Sequence, residues 1–356
     1  MPSEMSFSLW FFYLFWKAER VFGNAVGLTS LPGFPYDGQQ GIGACLAIAF
    51  FALVGARQHL LFILKGLFRH QTRSEGNYRW AASGLILGLV FLAVLSYRGG
   101  MAVWAILLYF LVYYLLSISI ARIRSEVGPP THEMFNITPR RFLIDLLGTK
   151  RFSHGSLTMM SMFFTFNRGS RAHPMPHIME GFKLAHESKM SQRRLIPVIM
   201  LSVVVGSLFA FWAYLFFIYK IGADTIPHAD MAGTTYNSLR NWIQNPSDTS
   251  VTAVVFVCIG FTFTSFIWWM RRLFPLWPFH PAGYALASST WTFGWLWFSV
   301  FVSWAIKTTL LKIGGVKLYR KAYPLFLGLI LGEFLAGGTW VLIRLFTGIE
   351  VYSFFR

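Results

Sequence analysis

The 356-residue chain is 55% hydrophobic and 18% aromatic with only 13% charged residues, where a soluble globular chain carries roughly 25%. This composition excludes a large soluble domain. The net charge of +17 comes from 31 Lys and Arg that sit mainly between apolar runs, where they meet anionic lipid headgroups, so it does not mark a nucleic-acid surface.

In chain order, the first apolar run, Phe7–Trp16, is too short to cross a bilayer and leads into Lys17, Glu19 and Arg20, which predicts an interfacial or re-entrant helix. Glu4 stands where a signal peptide carries basic residues and no small-residue cleavage site follows, so no cleavage is expected. Gly41–Leu64 is apolar except for Arg57, Gln58 and His59, and Ala81–Tyr97 forms a second span. Gly99-Gly100 then turns the chain into Met101–Ile120, a charge-free run of the roughly 20 residues a crossing helix needs. Cys45 and Cys258 both fall inside apolar runs and read as small buried hydrophobes.

From Ala121 to Arg194 comes a polar connection with twelve Lys/Arg and five Asp/Glu, interrupted by the apolar but short Ser156–Phe166. Its basic residues cluster at both flanking helices, so the positive-inside rule assigns residues 121–194 to the cytoplasm, with short helices on the membrane surface. Leu195–Tyr219 then runs outward, Ile221–Ser250 with three Asp and one Arg is external, and Val251–Met270 returns to Arg271 and Arg272. Ala282–Leu311 is long for one span and short for two, which a broken or re-entrant pair satisfies as well as one tilted helix does. Pro324–Phe346 is the last span. The expected fold is an all-α polytopic transmembrane bundle of about seven spans plus one or two re-entrant or interfacial helices. It divides into 1–120, the basic connection 121–194, and 195–356 with the broken segment near 282–311.

Glu333 lies nine residues after Pro324 and thirteen before Phe346, near mid-membrane, where a carboxyl is costly and usually faces a cavity or a helix partner. It shares a helical face with Gly337 and Trp340, while Gly328 and Gly332 permit close helix approach. Arg57 and His59 read either as polar groups within the bilayer or as a juxtamembrane collar with a snorkelling arginine. In the connection, Glu126-Val-Gly-Pro129-Pro130-Thr-His132-Glu133 and His173-Pro-Met-Pro-His177-Ile-Met-Glu180 are gate or coupling candidates. His173, His177 and Glu180 are chemically fit for zinc or iron, but Pro174 and Pro176 argue against one regular helix through both histidines, so no metal or other cofactor is assigned. Phosphate-loop, dinucleotide and nucleophile-elbow patterns are absent, so any transport is expected to be secondary and not driven by ATP on this chain.

Trp277-Pro-Phe-His-Pro-Ala-Gly-Tyr-Ala-Leu-Ala-Ser-Ser289, Gly314-Gly-Val-Lys-Leu-Tyr-Arg320 and Gly328-Leu-Ile-Leu-Gly-Glu333 resemble a family of prokaryotic multispanning membrane proteins of unknown function, as do Glu126–Pro130 and Pro174–His177. More distantly, residues 328–337 with the broken segment before them are similar to the last part of the oligopeptide transporter superfamily. That resemblance implies a proton-coupled secondary carrier of a small solute such as a peptide or metal chelate, in a prokaryotic cytoplasmic (inner) membrane. Gly283, Tyr284, Ser288, Ser289, Arg57 and His59 join Glu333 as substrate or coupling candidates, with a solute held between the broken segment and the Glu333 helix. The competing classes are a membrane-embedded metal-dependent enzyme and a noncatalytic subunit that packs on another membrane protein or on a second copy of itself.

Overall fold

The computed structural model describes residues 1–28, 31, 33–68, 78–170, 173–223 and 230–348. These residues form twelve α-helices and no named strand, with six of the helices long and apolar enough to cross a membrane. The chain divides into two compact units, Met1–Trp297 and Phe298–Arg356.

The first unit is organised by α2 (Asp37–Phe68), α4 (Val103–Val127) and α10 (Val251–Leu273). α2 and α10 run parallel: Tyr36 stacks on Phe256, Phe50 meets Phe261, and Phe51 stacks on Trp268 with ring centroids 4.0 Å apart. Two glycines allow this contact. A Cβ on Gly43 would fall 2.0 Å from the Val257 carbonyl oxygen and one on Gly260 would fall 2.1 Å from that of Gln40, so only the missing side chains let the backbones meet. α3 (Tyr78–Arg98) contacts both α2 and α4, and Arg122, Arg271 and Arg272 come together near the C-terminal ends of α4 and α10.

α1 (Ser3–Ala25) is longer than its apolar run. It continues through Lys17 and Glu19 because its inner face, Met5, Leu9, Phe12, Tyr13 and Trp16, is buried along the chain that follows α10. Ser8 Oγ accepts from the His280 amide at 2.7 Å, Phe12 and Trp16 pack on Tyr284, and Arg20 pairs with Asp37. α1 is thus longer than the run Phe7–Trp16 and is not among the six membrane-length candidates.

Near the start of the stretch 282–311 the helices are interrupted. After Leu273 an irregular stretch reaches α11 (Pro281–Ala287), every residue of which is buried, and Ser288-Ser289 separates it from α12 (Thr290–Thr347). α12 has 58 residues and is interrupted at Gly315, whose φ of 58° and ψ of −156° suit glycine alone. The two expected C-terminal spans thus appear as one interrupted helix among six membrane-length candidates.

The largest departure is the basic connection. α5 (Pro139–Leu147), α6 (His154–Asn167) and α7 (Pro174–Glu187) do not lie together beyond one end of α4. From Gly128 the chain doubles back, so that Asp145 reaches Gln39 at the start of α2, and its carbonyl accepts from the Ser250 amide at the start of α10. Ser156 Oγ accepts from the Ala102 amide at the start of α4. The chain then climbs again: Asn167 donates to the Tyr109 hydroxyl, His173 meets Ser117, and Glu180 reaches Arg124. Because α4 is about 37 Å long at 1.5 Å per residue, residues 121–194 cannot all occupy one membrane face if α4 spans. Some of the charges that read as a surface are paired along this excursion: Arg124 with Glu180, Arg141 with Asp145 and Lys150 with Asp248.

α8 (Gln192–Ile221) follows α7, and α9 (Asp230–Gln244) packs on α6 before α10 begins. The expected external loop 221–250 therefore contains a helix among its described residues. In the second unit, Lys307 lies 5.7 Å from the Tyr319 ring centroid across the Gly315 interruption.

Candidate functional site

Where α2, α4 and α10 diverge toward their C-terminal ends, they enclose a cavity of about 570 Å³. This lies within the usual range for small-molecule sites. Its walls are Ile48, Phe51, Ala52, Gly55 and Ala56 of α2; Arg122, Ile123, Glu126 and Val127 of α4; and Thr264, Trp268, Arg271 and Arg272 of α10. His280, Pro281 and Ala282 close the remaining side. Arg122 and Glu126 form an i,i+4 ion pair at 2.7 Å, and the Arg272 guanidinium lies 4.2 Å from the Trp268 ring centroid. Three guanidinium groups face one carboxylate, over an apolar and aromatic floor. Thr264 is fully buried and its hydroxyl has no hydrogen-bond partner among the described residues, an unmet polar group in the cavity wall.

The two His-Pro pairs of the sequence do the same local job. His280 Nδ1 accepts from the Ala282 amide at 3.1 Å at the start of α11, and His173 Nδ1 accepts from the Met175 amide at 3.3 Å at the start of α7. Each imidazole is an N-cap, and each following proline occupies the first helical position, where its missing N–H costs nothing. Pro174 and Pro176 therefore open a helix that includes His177 but leaves His173 outside it as the cap, so no regular helix runs through both histidines.

The loop candidates largely converge. Arg124 donates to Glu180 at 2.5 Å and to the Pro129 carbonyl at 2.6 Å, while the buried His132 ring sits 5.5 Å from that of His177. His173 bonds Ser117 at 2.8 Å, and burial together with its histidine neighbours pushes its pKa down to about 4. Pro130 is exposed, and Glu126 belongs to the cavity instead. Among the described residues no group of three His, Cys, Asp or Glu is arranged to hold a metal ion.

The broken-segment candidates are buried and bonded within the protein. Gly283 lies so close to Ser8 that a Cβ would come within 2.3 Å of it, and Tyr284 donates to Gln40 Oε1 at 2.6 Å. Ser288 donates to the Ala285 carbonyl, while Ser289 accepts from the Phe135 amide and contacts Thr292. Arg57 and His59 are exposed on α2 just beyond the cavity wall. Glu333 belongs to the second unit, exposed on α12, and makes no hydrogen bond or ion pair with a described residue. A built Cβ at Gly328 or Gly332 meets nothing within 4 Å.

Sequence reasoning passed over Thr264, Arg271, Arg272 and His280 as site residues. Only the basic pair at the end of a span was visible, and it read as a topology signal. It also passed over Arg140 on α5, which is 9% exposed. The guanidinium there lies 3.9 Å from the Phe164 ring centroid and 4.8 Å from that of Trp242, in a second cavity of about 310 Å³ at the opposite end of the core.

These features define an all-helical integral membrane protein with a cavity among its apolar helices. The chain belongs to the family of unknown function DUF6785, whose model matches residues 1–356. No curated protein and no solved structure matches it.

Proposed function

We propose that the protein is a secondary-transporter-like membrane protein that carries a small solute, of the size of a short peptide or metal chelate, through the cavity between α2, α4 and α10. The observation that carries this reading is the cavity itself. It is walled by three membrane-length helices and by the start of α11, and one buried hydroxyl in it has no partner among the described residues. Interrupted helices at such sites provide backbone groups for a solute and points about which a bundle can rock. In this proposal the membrane is a prokaryotic cytoplasmic membrane, and the arginine-rich ends of α2, α4 and α10 face the cytoplasm. The two parts of α12 on either side of Gly315 count as two crossings, making seven. Glu333, a carboxyl on an apolar helix with no hydrogen bond or ion pair to a described residue, takes up the coupling proton.

The test is uptake by proteoliposomes offered a mixture of peptides, carboxylates and metal chelates, with the contents read by mass spectrometry. The wild type is expected to accumulate at least one solute. Gly55→Phe, at a wall position where a built Cβ meets nothing within 4 Å, is expected to abolish that uptake. Glu333→Gln is expected to abolish pH-driven uptake while leaving solute exchange. Wild-type contents identical to those of protein-free liposomes would refute the carrier reading in favour of a noncatalytic subunit.

A further inference from the structure

We infer that the second cavity, between α5, α6 and α9, is a binding site for a small oxyanion, a carboxylate or a phosphate, held by the guanidinium of Arg140. This does not rest on the transport reading, since the cavity lies at the opposite end of the core from the Arg271 cavity.

A buried cation is costly unless an anion or a full set of acceptors compensates it. Among the described residues Arg140 has neither. Its side chain presents five N–H donors, yet its one hydrogen bond to a described residue is a long contact of 3.5 Å from Nη1 to Ser161 Oγ. Phe164 and Trp242 supply cation–π contact, which shields the group from water but accepts no hydrogen bond. The nearest carboxylate on the same helix is committed elsewhere: Asp145 accepts from Gln39 at 2.9 Å and pairs with Arg141 at 3.9 Å.

The space beside the guanidinium fits the missing group. The lining carries two guanidinium groups, Arg140 and Arg141, and one carboxylate, Asp145, so a monoanion neutralises it. Two neutral polar side chains, Asn136 and Thr138, share the wall. The Thr138 oxygen already caps α5 by accepting from the Arg141 amide, which leaves its hydroxyl proton to donate. A guanidinium edge with neighbouring neutral donors is the usual receptor for a carboxylate or phosphate, and arginine serves it better than lysine because two parallel N–H groups match two oxygens. At about 310 Å³ the site takes a small molecule or a headgroup and excludes a folded segment.

Binding is measured on the full chain in an uncharged detergent by intrinsic fluorescence, with Trp242→Phe identifying the signal of the indole beside the site. Hexanoate and inorganic phosphate are the probes; hexylammonium and hexanol are the controls. Saturable responses to an oxyanion, absent for the controls, are expected. They should weaken at least about tenfold in Arg140→Gln, since hydrogen bonds to charged groups are of that strength. Arg140→Lys should recover part of the loss. Ile144→Phe, which fills the cavity and leaves the arginine in place, should weaken binding equally and carries the test if Arg140→Gln fails to fold. Displacement of the probe by added anionic phospholipid would assign the site to a lipid headgroup, and indifference to it would assign the site to a soluble oxyanion. No saturable response to either oxyanion, equal responses to hexanol or hexylammonium, or binding unchanged in both variants would overturn the inference.

Discussion

Replacing Gly43 by alanine tests the packing that shapes the larger cavity. The new Cβ would stand 2.0 Å from the Val257 carbonyl oxygen and 2.7 Å from the Phe261 nitrogen. A carbon approaches a carbonyl oxygen to about 3.3 Å at closest, so α2 and α10 must part by more than about 1 Å. A gap of that size forfeits a quarter to a half of each dispersion contact across the interface. If on the order of 40 atom pairs at ~0.15 kcal/mol are affected, the loss is about 2 kcal/mol, within the usual cost of overpacking. Alanine also improves helix propensity by up to about 1 kcal/mol. The informative comparison is therefore with Gly55→Ala on the same helix, whose Cβ meets nothing within 4 Å. Thermal denaturation in detergent, followed by loss of the monodisperse chromatographic peak, should place Gly43→Ala well below wild type and Gly55→Ala at or above it, about 2–3 kcal/mol apart. Gly260→Ala, facing the Gln40 carbonyl oxygen at 2.1 Å, should behave as Gly43→Ala does. Equal stability of Gly43→Ala and Gly55→Ala would refute the close parallel packing of α2 on α10.

Two other outcomes follow from the site geometry. His173 is held neutral, its pKa lowered from 6.5 to about 4 by burial and by His132 and His177. Its contribution is therefore intact above pH about 6.5, where folded and unfolded states are both neutral, and declines as pH falls toward about 4 because only the unfolded state gains the proton. His173→Asn keeps an N-cap acceptor and should flatten that part of the acid-stability profile by about 2 kcal/mol, allowing for water at the half-buried ring. An unchanged profile would contradict it. Thr264→Val removes a buried hydroxyl that has no partner among the described residues and should raise thermal stability by about 1 kcal/mol in solute-free protein. Destabilisation would mean that the hydroxyl is already bonded.

The spans were legible because a run such as Val251–Met270 must be a helix in lipid, and its ends are marked by Ser250, whose hydroxyl accepts from Ala253, and by Arg271 and Arg272. The interruption near Ser288-Ser289 was legible from length and small residues. The path of residues 121–194 was not, because the positive-inside rule counts charges without knowing their partners. Arg124 is consumed by Glu180 and Arg141 by Asp145, while Arg140 is buried against two aromatic rings. Gly43 and Gly260 are 217 positions apart, and neither glycine advertises the other. The His173 motif was noticed for possible metal chemistry and His280 was passed over, whereas the physical role of both is to cap helices, α7 and α11. A proline after a histidine is the only sequence trace of that role.

The central claim, that the α2–α4–α10 cavity is a water-filled solute path, is tested most directly by thiol accessibility at Ala52 in its wall. In a Cys258→Ser background, which removes the exposed cysteine and leaves Cys45 buried, Ala52→Cys is treated with a membrane-impermeant maleimide from each side of sealed proteoliposomes. The account predicts labelling from the Arg271 side, slowed by the transported solute, and slower labelling from the other side as the bundle alternates. An introduced thiol that reacts from neither side, while the unfolded Ala52→Cys protein labels fully, would contradict it.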